Sequence, residues 1–338
     1  MSLLNLLRQT CQVDCDTMDA IAYFELVKPT PENEPLIAEA KSLARGSLSH
    51  LLDEDGDRLA LAEFVVEILT KTVSPAKTLQ MVQLQLRFAN HTTGFLHVQT
   101  NPKLSYSTEK TVRNARRLIS IFNLLAPTHQ GRIPKICIKI PATWEGLQAC
   151  RVLHDEDGAA TLATTMFCME QAVVAAAVKC TYIAPYVNEL KVHFEKGYID
   201  HNKSFDLCRQ AQSFFLRTNS PTQVLAASLT SLDEVMHLAG IQHITISPRL
   251  LDELAATDAA AWTGNLGEYF AQGPDDGSWD AGRRTAEDAA ALAHDESAWR
   301  LAFTRSGFGA SEAKIIQAIN YFADFQDKLE ALVEGRGS

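Results

Sequence analysis

The residue best suited to covalent chemistry in this sequence is a lysine near the end of a short apolar segment. The segment is Ile133-Pro-Lys-Ile-Cys-Ile-Lys-Ile-Pro-Ala-Thr-Trp-Glu-Gly146, and its prolines stand at the two ends of a strand-like run, where strands tolerate them. Alternation puts Lys139 on the face opposite the isoleucines. An amine in apolar surroundings has a lowered pKa, because burial disfavours its charged form, and it can then attack a carbonyl carbon. The alternative is an edge-strand lysine with its ammonium group in water.

Strand-like runs alternate with helix-like stretches along the chain, and these elements must position the lysine. The strand candidates are residues 95–100, 135–140, 161–167, 182–186, 224–227 and 243–247. Apolar residues at steps of three and four indicate helices between them, as in 108–125 and 310–332. This order predicts an α/β protein, most economically a (β/α)8 TIM barrel, whose active site forms at the carboxyl ends of the strands. A doubly wound sheet is the alternative, disfavoured because no GxGxxG follows a strand candidate.

The predicted domain organisation is a single barrel over residues 1–334, followed by a short tail at 335–338. Residues 262–293 gather glycines among Asp, Glu and Ala without clear periodicity. We therefore expect them to form a long mobile loop, or an excursion over one face of the barrel.

Composition excludes several classes of function. Apolar residues make up 46% of the 338 and charged residues 21%, so wholesale disorder is excluded. A net charge of −10 argues against nucleic-acid or anionic-membrane partners. The seven cysteines include no CxxC pair, and no window of about 18 apolar residues occurs. We expect a cytoplasmic protein without a metal cofactor, disulfide framework or membrane span.

The segment around Lys139 resembles the Schiff-base lysine segment of the transaldolase family, roughly I-x-I-K-x-x-x-T-W-x-G. Further similarities occur in order along the chain, at Leu7-Arg-Gln9 and Asp16-Thr17, Leu104-Ser-Tyr-Ser-Thr108, Ala184-Pro-Tyr-Val187, Leu238-Ala-Gly240 and Ile244-Thr-Ile-Ser-Pro248. The resemblance covers nearly the whole chain. It implies a barrel of the class I aldolase type in which Lys139 forms an imine with a ketose donor.

The resemblance also implies roles for other side chains. Asp16 matches the aspartate that moves the proton of the acceptor-side hydroxyl, although Asp14 shares its face by alternation. Thr164 matches the threonine that holds a catalytic water, and Ser228 matches a serine beside the donor. Two weaker matches are expected to line the substrate site, namely Asn33 and Ala184.

Two positions depart from the family pattern where the catalytic water is activated. The usual glutamate is Gln99, and the usual phenylalanine after the S-P segment is Tyr186. This pair resembles the related fructose-6-phosphate aldolases, in which the tyrosine helps activate the water. An amide cannot exchange a proton as a carboxylate does, whereas a phenol with a pKa of about 10 can act as an acid or orienting donor. The pair predicts a rebuilt proton relay; neutral drift at Gln99 and simple packing of Tyr186 are the alternatives.

Further departures concern the substrate. The two arginines that hold the sugar phosphate in the family are Glu189 and Thr230 here, and the family's asparagine two residues before the threonine matched by Thr164 is Leu162. Arginine suits phosphate because its charged fork binds two oxygens at once, whereas a glutamate would repel the dianion. A phosphorylated ketose should therefore bind poorly, unless Arg217, Lys191 or a residue of 262–293 supplies a relocated anion site.

These observations predict an imine-forming enzyme that adds, cleaves or transfers a three-carbon dihydroxyacetone-type unit. Its substrate is expected to be a small ketose or other carbonyl compound without phosphate, or otherwise atypical. Ordinary transaldolase activity of the pentose phosphate pathway is the first alternative. A catalytically silent homologue that acts as a binding protein is the second. The oligomeric state stays open, with a homodimer as one option.

Overall fold

The computed structural model describes residues 1–15, 34–46, 49–51, 94–125, 135–272 and 285–334. Two of the expected site residues, Asp16 and Asn33, lie outside these ranges. The described part contains a sheet of seven strands: β1 (Gln12–Cys15), β2 (Leu96–Gln99), β3 (Ile136–Pro141), β4 (Ala160–Met166), β5 (Tyr182–Pro185), β6 (Gln223–Ala226) and β7 (His243–Ile246).

The strand order is β1-β7-β6-β5-β4-β3-β2. Strands that follow one another in the chain are therefore neighbours from β2 to β7, and the last strand lies beside the first. Residue registers run parallel in the pairs β1–β7, β4–β5, β5–β6 and β6–β7. This order is typical of a TIM-barrel-like fold, and the predicted α/β class is confirmed.

Helices connect the strands. They are α1 (Leu3–Leu7), α2 (Glu34–Arg45), α3 (Thr108–Leu125), α4 (Trp144–Asp157), α5 (Met169–Ala177), α6 (Phe205–Arg217), α7 (Leu232–His237), α8 (Pro248–Ala256), α9 (Glu268–Ala271), α10 (Ala286–His294), α11 (Glu296–Arg305) and α12 (Ala310–Val333). A 3-10 helix at Leu190–His193 follows β5. The described part of the chain contains no helix that is both long and apolar enough to cross a bilayer.

The strand predictions agree with the structure to within one residue at either end, and the helix predicted over 108–125 has those bounds. The segment 262–293 differs from the loop expected there, because its described parts include α9 and most of α10. Thr285 begins α10 with a capping box, in which its hydroxyl accepts from the Asp288 N–H while the Asp288 side chain binds the Thr285 N–H. The alanine-rich stretch after this cap favours a helix despite its weak apolar period.

The chain divides into two compact units, and the boundary passes through β3 between Ile138 and Lys139. The first unit comprises residues 1–17, 105–108 and 139–319. Its core includes Trp299 of α11, which is 1% exposed. The Trp299 ring stacks on Phe303 at 4.8 Å between centroids and lies 5.6 Å from Trp144, while its Nε1 donates to the Glu170 carbonyl at 2.9 Å. Helix α11 is thereby packed against α4 and α5.

The second unit comprises residues 18–104, 109–138 and 320–338. Within it, the Leu96 amide at the start of β2 donates to the Lys135 carbonyl at 2.8 Å. The Asn114 side chain of α3 accepts a hydrogen bond from the Asn101 amide at 2.9 Å. Lys103 forms salt bridges to Asp327 at 2.9 Å and to Glu330 at 2.8 Å, both on α12.

Candidate active site

The strand end that carries Lys139 is fixed by the residues that follow it. Thr143 caps α4, since its hydroxyl oxygen accepts from the Gly146 amide at 3.0 Å and its proton is donated to the Ser105 carbonyl at 2.5 Å. Gly146 packs so closely that an added Cβ would lie 2.0 Å from the Pro141 carbonyl oxygen. Thr143 and Gly146 therefore have a structural role, because they fix the carboxyl end of β3 relative to the start of α4.

A buried glutamine joins the ends of β3 and β4. The Ala142 amide donates to the Thr164 carbonyl at 2.8 Å. Gln171 of α5 donates from Nε2 to the Ala142 carbonyl at 2.9 Å, and its Oε1 accepts from the Phe167 amide at 2.8 Å. Because this amide is fully buried, it holds the two strand ends in a fixed register.

Thr164 and Tyr186, both expected to position the catalytic water, are in contact. The Thr164 hydroxyl donates to the Tyr186 hydroxyl at 3.5 Å. Thr164 is 0% exposed and Tyr186 is 4% exposed. The Tyr186 ring also meets Phe167 edge-on at 5.8 Å. A phenol and a hydroxyl held at this distance, with little access for bulk water, can together orient one water molecule or donate to a developing charge.

Two expected lining residues lie on these same strands. Leu162 precedes Thr164 by two residues on β4, and Ala184 precedes Tyr186 by two residues on β5. Each is 1% exposed. Residues two apart share a face on a regular strand, but the β4 register is irregular between Ala163 and Met166.

Ser228 lies just beyond β6, beside the end of β5. Tyr186 forms an isolated parallel bridge with Ala227. Ser228 has a left-handed backbone with φ of +62°, which residues with a Cβ rarely adopt. Its carbonyl accepts from the Asn188 side chain at 2.8 Å and from the Asn188 amide at 3.2 Å. Asn188 therefore holds the serine in this conformation.

A histidine without an assigned role in the sequence analysis contacts this serine. His193 ends the 3-10 helix after β5, and its Nε2 lies 2.8 Å from the Ser228 hydroxyl oxygen. The sequence carries ten histidines, and no spacing or motif distinguishes this one. The contact arises because the connections after β5 and β6 fold over the same end of the sheet.

Glu189, which the family resemblance matches to an arginine, has its carboxylate already bound within the protein. One oxygen accepts from the Tyr198 hydroxyl, and the other accepts from Gln317 at 3.2 Å. The Glu189 amide donates to Asp200 at 2.8 Å. The hydrogen bond to the Glu189 carboxylate raises the pKa of Tyr198 to about 12, so the phenol remains a donor at neutral pH. Both oxygens of the Glu189 carboxylate therefore have partners within the protein.

Thr230, which the family resemblance matches to the other arginine, is bound to a buried carboxylate. Its amide and hydroxyl donate to Glu234 at 2.7 and 3.0 Å. Glu234 is 5% exposed and also binds Lys203 at 2.7 Å and Asn188 at 2.9 Å. Burial disfavours ionisation of Glu234, but the hydrogen bonds from Lys203, Thr230 and Asn188 outweigh it, and its pKa lies below 4.5.

The cations considered for a relocated anion site have other partners. Lys191 binds Glu195 at 3.3 Å and lies 4.7 Å from the centre of the Tyr198 ring. Arg217 ends α6, where its guanidinium lies 5.4 Å from the Phe214 ring centre. Arg249 was not considered in the sequence analysis; it donates to the Thr230 carbonyl at 3.2 Å and also binds Glu253.

Gln99 belongs to the second unit. Its Oε1 is buried and accepts no hydrogen bond from the residues that the structure describes. Such an orphaned acceptor is costly in a folded protein and commonly marks a place where water or a ligand binds.

Asp14, the alternative to Asp16 by alternation, has an identified partner on the neighbouring strand. Its carboxylate lies 3.0 Å from Nδ1 of His243, whose Nε2 lies 3.1 Å from the Gln223 side-chain oxygen. Within the described ranges, no group of three His, Cys, Asp or Glu side chains is placed to bind a metal ion.

The fold and these strand ends define a TIM-barrel-like α/β protein. Its lysine lies in β3 and its threonine in β4, while the tyrosine and the serine lie just after β5 and β6. Residues 31–324 match the family model described as Transaldolase/Fructose-6-phosphate aldolase. The chain belongs to that family.

Curated relatives agree with this assignment. The chain is 29% identical to a transaldolase of Chlamydia trachomatis over 63% of its own length and 62% of the relative's. It is 29% identical to a transaldolase of Gloeobacter violaceus over 76% and 66%, respectively. The match to a transaldolase of Chlamydia felis is 33% identical over 48% and 50%. The chain therefore spans less than two thirds of the length of these relatives.

Proposed function

We propose that this protein is an imine-forming aldolase or three-carbon transferase that uses Lys139 on a carbonyl donor without a phosphate group. The observation that carries the proposal is the contact between Thr164 and Tyr186 at 3.5 Å. It pairs the two side chains needed to hold a proton-carrying water, on the strand ends that follow the lysine strand. Family membership supports the same chemistry.

In the proposed reaction the Lys139 amine adds to the donor ketone, and loss of water gives a protonated imine. That imine accepts the electron pair of the adjacent carbon–carbon bond as the bond breaks, which leaves an enamine. Asp16 takes the proton of the hydroxyl that becomes the aldehyde. The enamine then attacks a second aldehyde, and water hydrolyses the resulting imine to release the product and the free Lys139 amine. Alternatively the enamine is protonated and the imine so formed is hydrolysed, which releases the three-carbon unit.

Proton transfer at the imine and enamine is assigned to a water held by Thr164 and Tyr186. The phenol of Tyr186 would donate a proton to this water and take one back as charge develops at the imine and enamine. From the family resemblance alone, Gln99 is expected to act on this water through its amide rather than as a base.

The absence of phosphate from the substrate is supported by the surroundings of Ser228. Glu189 carries negative charge where a phosphate site would need a cation, and Thr230 is bound to a second carboxylate, Glu234. A phosphate dianion at this place would be repelled by the Glu189 carboxylate, whereas the charge of Glu234 is offset by Lys203.

Ordinary transaldolase activity remains the main competitor, because the curated relatives carry that name. The observation that favours it is Arg249, whose guanidinium reaches the Thr230 carbonyl. A silent homologue is the other competitor. We further propose that the substrate is a small carbonyl compound, that the protein is cytoplasmic and that it needs no metal cofactor. A homodimer is one option for its oligomeric state.

The test is reductive trapping of the imine with borohydride, followed by intact mass and peptide mapping. The donors are dihydroxyacetone, fructose and fructose 6-phosphate, with Lys139→Ala as the covalent control and Lys135→Ala as the matched lysine variant on the same segment. We expect adducts at Lys139 with the neutral donors, unchanged by Lys135→Ala.

Efficient trapping by fructose 6-phosphate, with transfer to erythrose 4-phosphate, would overturn the substrate assignment and favour ordinary transaldolase. A further variant tests the charge argument directly. Glu189→Arg combined with Thr230→Arg should shift donor preference toward fructose 6-phosphate, as read from the ratio of kcat/KM values. If no donor leaves an adduct at Lys139, the silent homologue is preferred.

A further inference from the structure

Strand β4 contains one residue more than its neighbour β5 near the carboxyl end. The register passes from the Ala163–Ile183 pair to the Met166–Pro185 pair, so three steps along β4 match two steps along β5. Such a β-bulge bends a strand locally and is common beside active sites, where it changes the direction of a side chain. The bulge includes Thr164, which is assigned to the catalytic water in the proposed function.

The residue after Thr164 has an unusual backbone conformation. Thr165 is left-handed, with φ of +55°. A β-branched residue very rarely adopts this conformation, because its Cβ crowds the neighbouring carbonyl oxygen. Thr165 is also 0% exposed, so its side chain has no contact with solvent. Strain of this kind persists only where the surrounding structure fixes it, and it is concentrated at functional sites.

The Thr165 side chain holds the peptide group that joins it to Thr164. Its hydroxyl donates to the Thr164 carbonyl at 2.6 Å. The same carbonyl accepts from the amide of Ala142, just beyond β3, at 2.8 Å. Gln171 donates from Nε2 to the Thr165 carbonyl at 3.4 Å. Hydrogen bonds from β3, from α5 and from Thr165 itself therefore fix the backbone at this point.

A fixed backbone also fixes the direction of the Thr164 hydroxyl. The side chain of a β-branched residue has few rotamers, so its direction follows from the backbone. That hydroxyl lies 3.5 Å from the Tyr186 hydroxyl. The Tyr186 amide in turn donates to the Met166 carbonyl at 3.0 Å. Thr165 therefore lies between the residue that offers the hydroxyl and the residue that anchors Tyr186.

We propose that Thr165 is a positioning residue for proton transfer, whose left-handed backbone and hydroxyl aim Thr164 at the water shared with Tyr186. The inference rests on the proposed function. The role needs no contact with the donor, because Thr165 acts through Thr164. Serine at position 165 would preserve the hydroxyl bond, whereas valine would preserve the shape and lose the bond. Glycine would adopt the same φ without strain and would lose the bond as well.

The experiment separates imine formation from proton transfer. Borohydride trapping with dihydroxyacetone measures the imine at Lys139. Deuterium incorporation into dihydroxyacetone in heavy water, followed by NMR, measures proton exchange at the enamine, with Lys139→Ala as the background. Both are measured, together with kcat and KM for an aldehyde acceptor, in the wild type, Thr165→Val, Thr165→Gly and Thr165→Ser.

Thr222→Val is the matched control. Thr222 is also 0% exposed, and its hydroxyl likewise donates to a backbone carbonyl, that of Cys180, at 2.7 Å. It directly precedes β6 and so lies at the amino end of that strand. Thermal melting checks that each variant is folded.

We expect Thr165→Val and Thr165→Gly to lower kcat and the rate of deuterium incorporation about 10-fold, because a slightly misplaced group loses much of its catalytic effect. KM and the amount of trapped imine should stay within about twofold of the wild type, since only proton transfer is affected. Thr165→Ser should retain most of the rate. Thr222→Val should match the wild type in rate although it loses the same kind of bond.

A double-mutant cycle tests whether Thr165 acts through Thr164. In the Thr164→Val background, Thr165→Val should cause no further loss of kcat. A further loss of the same size would overturn the inference, and so would an equal loss in Thr165→Ser and Thr165→Val. If Thr165→Val does not fold, Thr165→Gly decides, because glycine relieves the backbone strain.

Two kinds of failure are distinguishable. If Thr165→Gly exchanges deuterium at the wild-type rate while trapping at Lys139 persists, the role of Thr165 is wrong and the proposed function stands. An equal loss of rate in Thr222→Val would likewise refute a specific role. If the wild type traps no donor at Lys139, the proposed function fails and this inference fails with it.

Discussion

At the residue scale, the proton chemistry proposed for this protein depends on one phenol. Tyr186 is nearly inaccessible and accepts a hydrogen bond from Thr164. Removing the phenolic oxygen takes away that acceptor without changing the ring that packs on Phe167.

We therefore expect Tyr186→Phe to lower kcat about 100-fold with little change in KM, as is usual when a general acid or base is lost. Steady-state kinetics with dihydroxyacetone and an aldehyde acceptor measure this effect. Tyr182→Phe is the matched control, because Tyr182 is a buried tyrosine at the start of β5 whose ring instead meets His243. Equal losses in the two variants would contradict a specific role for Tyr186.

Glu234 is the residue whose charge state should matter most for stability near the site. Its pKa in the folded protein lies below the ordinary value of 4.5. A lowered pKa contributes stability above that ordinary value, and the contribution disappears as pH falls through the folded pKa.

Glu234→Gln should therefore lower the free energy of unfolding by about 1–3 kcal/mol at pH 7. The difference from the wild type should be constant above about pH 5 and should shrink at lower pH. Urea unfolding between pH 3 and 7 measures it. Glu253→Gln, which breaks an exposed pair with Arg249, should cost less than about 1 kcal/mol. A difference that grows at acid pH would contradict the assigned sign.

At the element scale, the junction between β3 and α4 controls where Lys139 is held. The Gly146 position has no room for a side chain, since a Cβ would lie 2.0 Å from the Pro141 carbonyl oxygen. The start of α4 would have to shift, and the β3 end would shift with it.

Gly146→Ala should destabilise the protein by about 1–3 kcal/mol, as overpacking commonly does, and should also reduce imine formation at Lys139. Gly94→Ala is the control, because a Cβ there meets nothing within 4 Å. Thermal melts and borohydride trapping are measured on both variants. A fully active and stable Gly146→Ala would exclude this packing argument.

The elements were largely predictable from sequence, and several side-chain partners were not. Period-two and helical patterns located β3 to β7 because burial on a strand or helix face is a local property of the chain. The partners of Glu189 could not be found in this way, since Gln317 lies 128 residues away. The His193–Ser228 contact joins two connections whose meeting depends on the whole strand order.

At the scale of the whole molecule, the reactivity of the cysteines tests the expectation that they are free thiols and form no disulfides. Of the seven cysteines, five are buried in the described part of the chain, namely Cys137, Cys150, Cys168, Cys180 and Cys208. Burial raises the pKa of Cys208 to about 12, so its thiol is neutral at pH 8 and reacts slowly with disulfide reagents.

We expect at most two thiols to react rapidly with Ellman's reagent in the native protein at pH 8. All seven should react after unfolding in guanidinium chloride without added reductant. Absorbance at 412 nm measures both numbers. Fewer than seven thiols after unfolding would indicate a disulfide and contradict this expectation.

Because the backbone of Ser228 is left-handed, the residue that gives the most stable fold at this position differs from the residue that gives the highest activity. With φ of +62°, this position favours glycine on conformational grounds by about 1 kcal/mol, since glycine alone carries no Cβ to crowd the backbone. A library randomised at position 228 and selected only for thermal resistance should therefore enrich glycine. The same library selected for carbon–carbon bond formation should return serine. Selection for activity would thus maintain serine at this position, although glycine would give a more stable protein.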